Sequence, residues 1–95
     1  MRAAKVDANH GAVVEALRKA GANVQSLAEV GRGVPDLLVG IRGKLALFEI
    51  KDGSKPPSQR KLTPDQIAWH EQWAGFPVCT VDSVEAALRM LAVMK

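Results

Sequence analysis

The sequence predicts an α/β domain in which a small mixed four-stranded sheet is flanked by helices, in the order αβββαβα. Apolar residues recur at helical spacing near both ends of the chain, whereas the middle carries short apolar runs bounded by glycine and proline. A strand, a helix and a further strand in the second half imply a crossover and at least one parallel pair. At 95 residues, we expect residues 1–95 to form a single domain.

The first 33 residues predict a helix and a strand. Small and aliphatic residues share one side of a helix from about residue 8 to Ala20, and Gly21 supplies a stop. Asn23–Val30 predicts the first strand, and Gly31-Arg32-Gly33 then interrupts the chain.

A β-hairpin follows in the middle of the chain. A second strand begins near Asp36 and covers Leu37–Ile41, and Arg42-Gly43 is typical of a tight turn. The third strand covers Lys44–Lys51, and its first residues are apolar on both faces, as in a sheet covered on both sides.

The second half predicts a loop, a helix, a strand and a last helix. Asp52–Leu62 is the loop, and Thr63-Pro64-Asp65-Gln66 has the pattern of a capping box with proline at the first helical position. That helix ends at Gly75, and Phe76–Val81 predicts a short apolar strand. Asp82-Ser83-Val84-Glu85 predicts a second capping box, which opens the final helix.

Three charged residues converge at one end of the predicted hairpin. Glu49 and Lys51 lie two positions apart, so they share one face of the third strand. Counting outward from the turn, Asp36 faces Glu49 at the ~5 Å of a cross-strand pair. Facing carboxylates repel unless a cation lies between them, and Mg²⁺ suits such a pair. With Lys51 beside them, the residues predict metal-assisted phosphodiester hydrolysis; a static ion cluster is the alternative.

These motifs resemble those of a known nuclease superfamily. Val34-Pro35-Asp36 followed by Glu49-Ile50-Lys51 is similar to the split PD…(D/E)xK signature of the restriction-endonuclease-like nucleases. More closely, the chain resembles a short standalone VRR-NUC domain through stretches that span nearly its whole length: Leu17–Ala22, Gly31–Gly40, Phe48–Gly53 and Leu62–Gln66. The resemblance implies a restriction-endonuclease-like core, in agreement with the predicted order of elements.

The resemblance also implies roles for individual residues. Asp36, Glu49 and the main-chain carbonyl of Ile50 would bind Mg²⁺ or Mn²⁺, and Lys51 would serve the attacking water or the scissile phosphate. The family often supplies a further acidic residue from the first helix, but the aligned position here is Ala12.

Residues near the start of the first helix admit two interpretations each. Glu15, one turn after the aligned position, could substitute for the missing acid, but helical geometry places it on the polar face. Asn9 and His10 lie closer to the inward face, where they could assist the site or make packing hydrogen bonds.

Three residues of the second predicted helix also remain open. Gln66 could contact the phosphate, as in related nucleases, or simply complete the capping box. Trp69 and Trp73 share a helical side with it, which favours core or subunit packing over base stacking. Cys79, within an apolar strand, is expected to be inert.

The excess positive charge lies in the middle third of the chain. Residues 31–61 carry seven basic and three acidic side chains, whereas the rest carries six basic and seven acidic ones. Four basic residues flank the predicted site and are expected to contact DNA phosphates, with solubilisation as the alternative: Arg32, Lys55, Arg60 and Lys61.

The expected partner is branched DNA. The resemblance implies a homodimer that cuts Holliday (four-way) junctions; a non-catalytic nucleic-acid-binding module that keeps the fold is the alternative. The sequence shows no membrane-spanning run and no secretory signal, and Cys79 is its only cysteine. These features predict a cytoplasmic, reducing environment.

Overall fold

The computed structural model describes residues 7–95 and confirms the predicted mixed four-stranded sheet and the order αβββαβα. The strands lie in the order β1-β2-β3-β4; the first two pairs are antiparallel, and β3 and β4 are parallel. None of the helices in this part of the chain is long and apolar enough to cross a membrane. The elements are α1 (His10–Lys19), β1 (Asn23–Ser26), β2 (Leu37–Ile41), β3 (Lys44–Ile50), α2 (Pro64–Gln72), β4 (Val78–Val81) and α3 (Val84–Met94).

The first strand is shorter than predicted. It ends at Ser26, not at Val30, because Leu27 N donates a hydrogen bond to Asp36 O at 2.7 Å and the chain then turns. Val30 N closes that turn on Leu27 O at 3.0 Å. The loop after β1 is therefore tied directly to the start of β2.

The predicted capping box at the start of α3 is wrong. The N-cap is Ser83, whose Oγ accepts a hydrogen bond from Ala86 N at 3.0 Å. Because the cap falls one residue later than Asp82, Glu85 occupies the second helical position and not the third, which a capping box requires. One side-chain hydrogen bond therefore starts this helix.

One face of the sheet carries the hydrophobic core. Phe48 and Ile50 of β3 are buried on this face with Leu37 and Val39 of β2. Helices α1 and α3 cover it with the following buried side chains: Val13, Leu17, Ala87 and Leu91. Each fully buried aliphatic or aromatic side chain contributes roughly 1.5–3 kcal/mol, so the β2–β3 hairpin is firmly anchored.

The opposite face of the sheet is largely open, which corrects the expectation of a sheet covered on both sides. Leu45, near the start of β3, is 59% exposed. Helix α2 has only nine residues, and none of them is buried. It reaches the sheet through polar side chains at the C-terminal end of β3, where Gln66 contacts Glu49. This open face therefore ends in a polar site.

Gly33 lets the loop before β2 lie against the start of α2. Its φ is +83°, and a Cβ at this position would collide with the main chain of Asp65 and Gln66. We expect Gly33→Ala to displace α2 and to lower the free energy of unfolding by about 1–3 kcal/mol, measured by urea denaturation. Gly43→Ala is the matched control, since φ is +78° there but no atom lies within 4 Å of the added carbon. Equal losses in the two variants would contradict the predicted collision.

Candidate active site

The register of the hairpin brings Asp36 level with Glu49. Leu37 pairs with Phe48, so Asp36 stands one position beyond the last pair of β2 and β3. Its Oδ2 accepts a hydrogen bond from Ile50 N at 2.7 Å, which holds the carboxylate at the end of β3. The structure thus brings together the two carboxylates that the sequence predicted to face each other.

Glu49 is a buried carboxyl group to which no lysine or arginine among residues 7–95 is bonded. The residue is 1% exposed, and its Oε2 accepts a hydrogen bond from Gln66 Nε2 at 3.1 Å. Its Oε1 has no hydrogen-bond partner among residues 7–95. Burial first, and then the hydrogen bond and charge of Asp36, raise the pKa of Glu49 to about 9, although the positive charge of Lys51 acts in the opposite direction. The site therefore favours either a proton or a bound cation.

Lys51 is held beside these carboxylates by Gln66. Its Nζ donates a hydrogen bond to Gln66 Oε1 at 2.9 Å. The same oxygen accepts from Thr63 N at 2.9 Å, while Thr63 Oγ1 accepts from Gln66 N, so the capping box predicted at the start of α2 is confirmed. Because its oxygen has two donors, the Gln66 amide must turn its nitrogen towards Glu49. Gln66 thus completes the capping box and also lies beside Glu49 and Lys51, while its contact with a phosphate stays a prediction.

The donor set fits a hard divalent cation. The buried, unpartnered Oε1 of Glu49 is an oxygen that a cation would satisfy, and Asp36 supplies a second carboxylate. The described chain contains no group of three or more histidine, cysteine, aspartate or glutamate side chains arranged to hold a metal. Two carboxylates, the predicted main-chain carbonyl of Ile50 and water are the oxygen ligands that suit Mg²⁺ or Mn²⁺.

The raised pKa of Glu49 predicts how stability depends on pH without metal. Glu49 titrates near its ordinary value of 4.5 in the unfolded chain and near 9 in the fold, so between these values only the native state holds the proton. In EDTA, we expect the contribution of Glu49 to the free energy of unfolding to be fully present below pH 4.5 and to be lost progressively as the pH rises towards 9, by at most ~1.4 kcal/mol per pH unit.

Urea denaturation at a series of pH values measures this slope. Glu49→Gln is the matched control, because the amide has nearly the same shape and no proton to lose. The same slope in this variant would assign the pH dependence to another group.

Asp7, three residues before α1, is a neighbour of the site that the sequence analysis missed. Its negative charge lies close enough to Glu49 to add to the rise in the pKa of that carboxyl. The position aligned with the family's acid, Ala12, is exposed on α1, and Glu15 is exposed as well. The sequence signal was an aspartate three residues before the helix, outside the helical positions at which the family supplies its acid.

Asn9 connects the start of α1 to the ends of two strands. Its Nδ2 donates to Lys51 O at 3.1 Å and to Asp82 O at 3.4 Å. This contact supports the packing interpretation of Asn9, and it explains how the segment before α1 comes near Glu49. His10 is partly buried, and its Nε2 has no hydrogen-bond partner within residues 7–95.

The four basic residues predicted to bind DNA have two kinds of surroundings. Arg32, Lys55 and Lys61 are exposed. Arg60 is half-buried and lies in an ion pair, with its Nη1 3.5 Å from Asp82 Oδ2. A phosphate contact by Arg60 therefore has to compete with this pair, and its role in DNA binding stays a prediction.

The aromatic residues of α2 form a surface cluster. Trp69 stacks on Trp73 with ring centroids 5.1 Å apart, and Trp73 lies 5.4 Å from Phe76. Trp73 is 40% exposed and Phe76 is 61% exposed, so core packing does not describe them.

Half-buried Cys79 fits its expected inert role, since burial raises the pKa of its thiol to about 11.

A solved structure supports the resemblance stated from the sequence. A chain described as a VRR_NUC domain superposes on this one with a TM-score of 0.64 and 28% sequence identity, covering 90% of this chain and 97% of the other. No protein-family model and no curated protein matches the sequence. The resemblance to VRR-NUC domains is thereby confirmed, and the fold is similar to that of the VRR_NUC chain.

Proposed function

We propose, from the resemblance to a VRR_NUC domain, that this chain is a metal-dependent endonuclease that hydrolyses phosphodiester bonds in DNA. The observation that carries the proposal is the pairing of Asp36 with buried Glu49 at one end of the hairpin, with Lys51 beside them. When bound there, Mg²⁺ or Mn²⁺ would polarise the phosphate and make a water molecule more acidic. Without a metal, the same geometry keeps a proton on Glu49, because burial and Asp36 raise the pKa of this carboxyl to about 9.

Each residue of the site has a definite task in this proposal. Asp36, Glu49 and the main-chain carbonyl of Ile50 would hold the cation. Lys51 would stabilise the negative charge that develops on the scissile phosphate, since its ammonium is a compact point charge. Gln66 bonds both Lys51 and Glu49, so it keeps the ammonium and the carboxylate in a fixed relation.

The exposed basic residues would bind the DNA backbone. Arg32, Lys55 and Lys61 belong to the stretch that carries the excess positive charge. Contacts of this kind position the DNA but carry no sequence information, so we expect binding to be strongly sensitive to salt and weakly sensitive to sequence.

Lys61 and Arg60 provide a matched pair for testing this surface. We expect Lys61→Ala to reduce the slope of log affinity against log salt by about 0.9, because one phosphate contact is lost, without changing stability. Arg60→Ala breaks the ion pair with Asp82 and should lower the free energy of unfolding by up to ~1 kcal/mol. Fluorescence anisotropy from about 50 to about 200 mM salt measures the slope. A wild-type slope in Lys61→Ala would show that Lys61 does not contact a DNA phosphate.

The proposed substrate is branched DNA, with a four-way junction cut by a homodimer. Two copies of the site related by a twofold axis could cut paired strands, which resolution of such a junction requires. The exposed aromatic cluster of α2 supports a second subunit, because Trp73 and Phe76 lie together and are 40% and 61% exposed.

A cleavage assay on defined substrates tests the proposal. Labelled four-way junction, flap, duplex and single-stranded DNA are incubated with Mg²⁺, Mn²⁺ or EDTA, and the mass in solution is measured on the same sample. We expect metal-dependent cleavage that is fastest on the junction, and a dimer mass. Absence of product on every substrate would contradict the proposed endonuclease activity. Equal rates on all substrates would contradict the proposed selectivity for branched DNA, and the mass of a monomer would contradict the proposed homodimer.

One observation favours a second candidate, a nucleic-acid-binding module without activity. Among residues 7–95, no group of three or more histidine, cysteine, aspartate or glutamate side chains is arranged to hold a metal, and the position aligned with the family's helix-one acid, Ala12, is exposed. This candidate predicts salt-sensitive junction binding without any metal-dependent product. Mn²⁺ binding by calorimetry that is lost in Glu49→Ala would count against it.

A further inference from the structure

His70 lies on the face of α2 that is directed at Glu49. It follows Gln66 by four residues, and side chains at this spacing lie one above the other on a helix. Gln66 Nε2 donates to one oxygen of the Glu49 carboxyl, Oε2, at 3.1 Å. His70 Nε2 lies 3.9 Å from the other oxygen, Oε1. Gln66 and His70 therefore face different oxygens of one buried carboxyl group.

Both atoms across this gap are buried and without a hydrogen-bond partner in the described chain. These atoms are Glu49 Oε1 and His70 Nε2, and the Glu49 side chain is only 2% exposed. Buried polar atoms are nearly always bonded, so a facing donor and acceptor left open point to a functional arrangement. A small rotation of either side chain would bring 3.9 Å into hydrogen-bond range.

A hydrogen bond from His70 is compatible with a cation on the same carboxylate. Each carboxylate oxygen has two acceptor positions, so Oε1 can accept from an imidazole N–H and still bind a metal. Imidazole donates from Nε2 both when it is protonated and in the neutral form that carries its proton there. Histidine would therefore fix the rotation of the carboxylate without occupying the metal's position.

We propose that His70 is a positioning residue, which donates from Nε2 to Glu49 Oε1 and, together with Gln66, fixes the carboxylate that holds the catalytic metal. The inference rests on the proposed function. Partners of this kind, hydrogen-bonded to a metal ligand, typically affect metal affinity or activity by about 10- to 100-fold. His70 does not touch the substrate in this proposal; it acts through Glu49.

The test compares His70→Ala, His70→Gln and Gln72→Ala, an exposed and neutral neighbour on the same helix. Mn²⁺ affinity is measured by electron paramagnetic resonance on the full chain, with kcat and KM for a cleaved DNA and the melting temperature alongside. We expect His70→Ala to weaken Mn²⁺ binding and to lower kcat by about tenfold each, with KM and melting temperature unchanged. His70→Gln should recover part of both losses, since its amide can donate, and Gln72→Ala should resemble the wild type.

The outcomes separate this inference from the function on which it rests. Wild-type Mn²⁺ affinity and kcat in His70→Ala overturn the role of His70 alone. A nitrogen coupling from His70 in the spectrum of bound Mn²⁺ also overturns it, because the imidazole would then be a ligand. If the wild-type chain binds no Mn²⁺, the metal-dependent nuclease fails, and the inference fails with it.

Discussion

Glu49→Gln should lower metal-dependent DNA cleavage by about 10³-fold or more while making the metal-free protein more stable at pH 8. The activity falls because an amide replaces a carboxylate that would hold the cation, and the metal's contribution of several kcal/mol to transition-state stabilisation is lost. Stability rises because burial and Asp36 raise the pKa of Glu49 to about 9, so the wild-type fold must keep a proton that the unfolded chain has released. Cleavage rates and urea denaturation in EDTA measure the two effects.

Glu71→Gln is the matched control for this substitution. It makes the same chemical change at an exposed position of α2, so we expect nearly wild-type cleavage and a small change in stability. Cleavage by Glu49→Gln at the wild-type rate would refute the two-carboxylate site, whatever its effect on stability.

Lys51→Met should lower kcat by about 10²- to 10³-fold and leave Mn²⁺ binding intact. The ammonium lies beside Glu49 and acts on the phosphate in our proposal, so its removal takes away stabilisation of the transition state but no metal ligand. Loss of a neighbouring positive charge should even favour cation binding slightly. Single-turnover kinetics and Mn²⁺ titration by electron paramagnetic resonance measure the two quantities.

Lys55→Met provides the comparison, because Lys55 is an exposed lysine in the loop that follows. We expect this variant to raise KM for DNA and to leave kcat unchanged, as for a residue that only contacts the backbone. Failure of Lys51→Met to bind Mn²⁺ would instead make Lys51 a structural support of the carboxylates.

The sequence predicted the carboxylate pair correctly because hairpin geometry is local. A tight turn at Arg42-Gly43 fixes the register, and counting outward along both strands places Asp36 level with Glu49. The capping box at Thr63 and Gln66 was equally readable, since it depends on residues three apart in one segment. The geometry of such elements can be predicted because it depends on residues that are close in sequence.

Long-range contacts account for what the sequence did not predict. His70 meets Glu49 because α2 packs across the end of β3, and Asp7 comes near because Asn9 binds the ends of two strands. Neither placement follows from spacing or periodicity. The expectation of a sheet covered on both sides failed similarly, because Leu45 has the same hydrophobicity whether or not a helix covers it.

The amide of Gln66 makes the first turn of α2 and the alignment of Lys51 with Glu49 mutually dependent. Local opening of that turn would therefore abolish the proposed activity before the rest of the molecule unfolds. The amide of Ile67 donates a hydrogen bond to Thr63 O at 2.9 Å, so it exchanges with solvent only when this turn opens. Its rate of hydrogen exchange should therefore report how often the Lys51–Glu49 alignment is lost. Temperature or denaturant would act first as a reversible inhibitor of this protein, and only later as a denaturant.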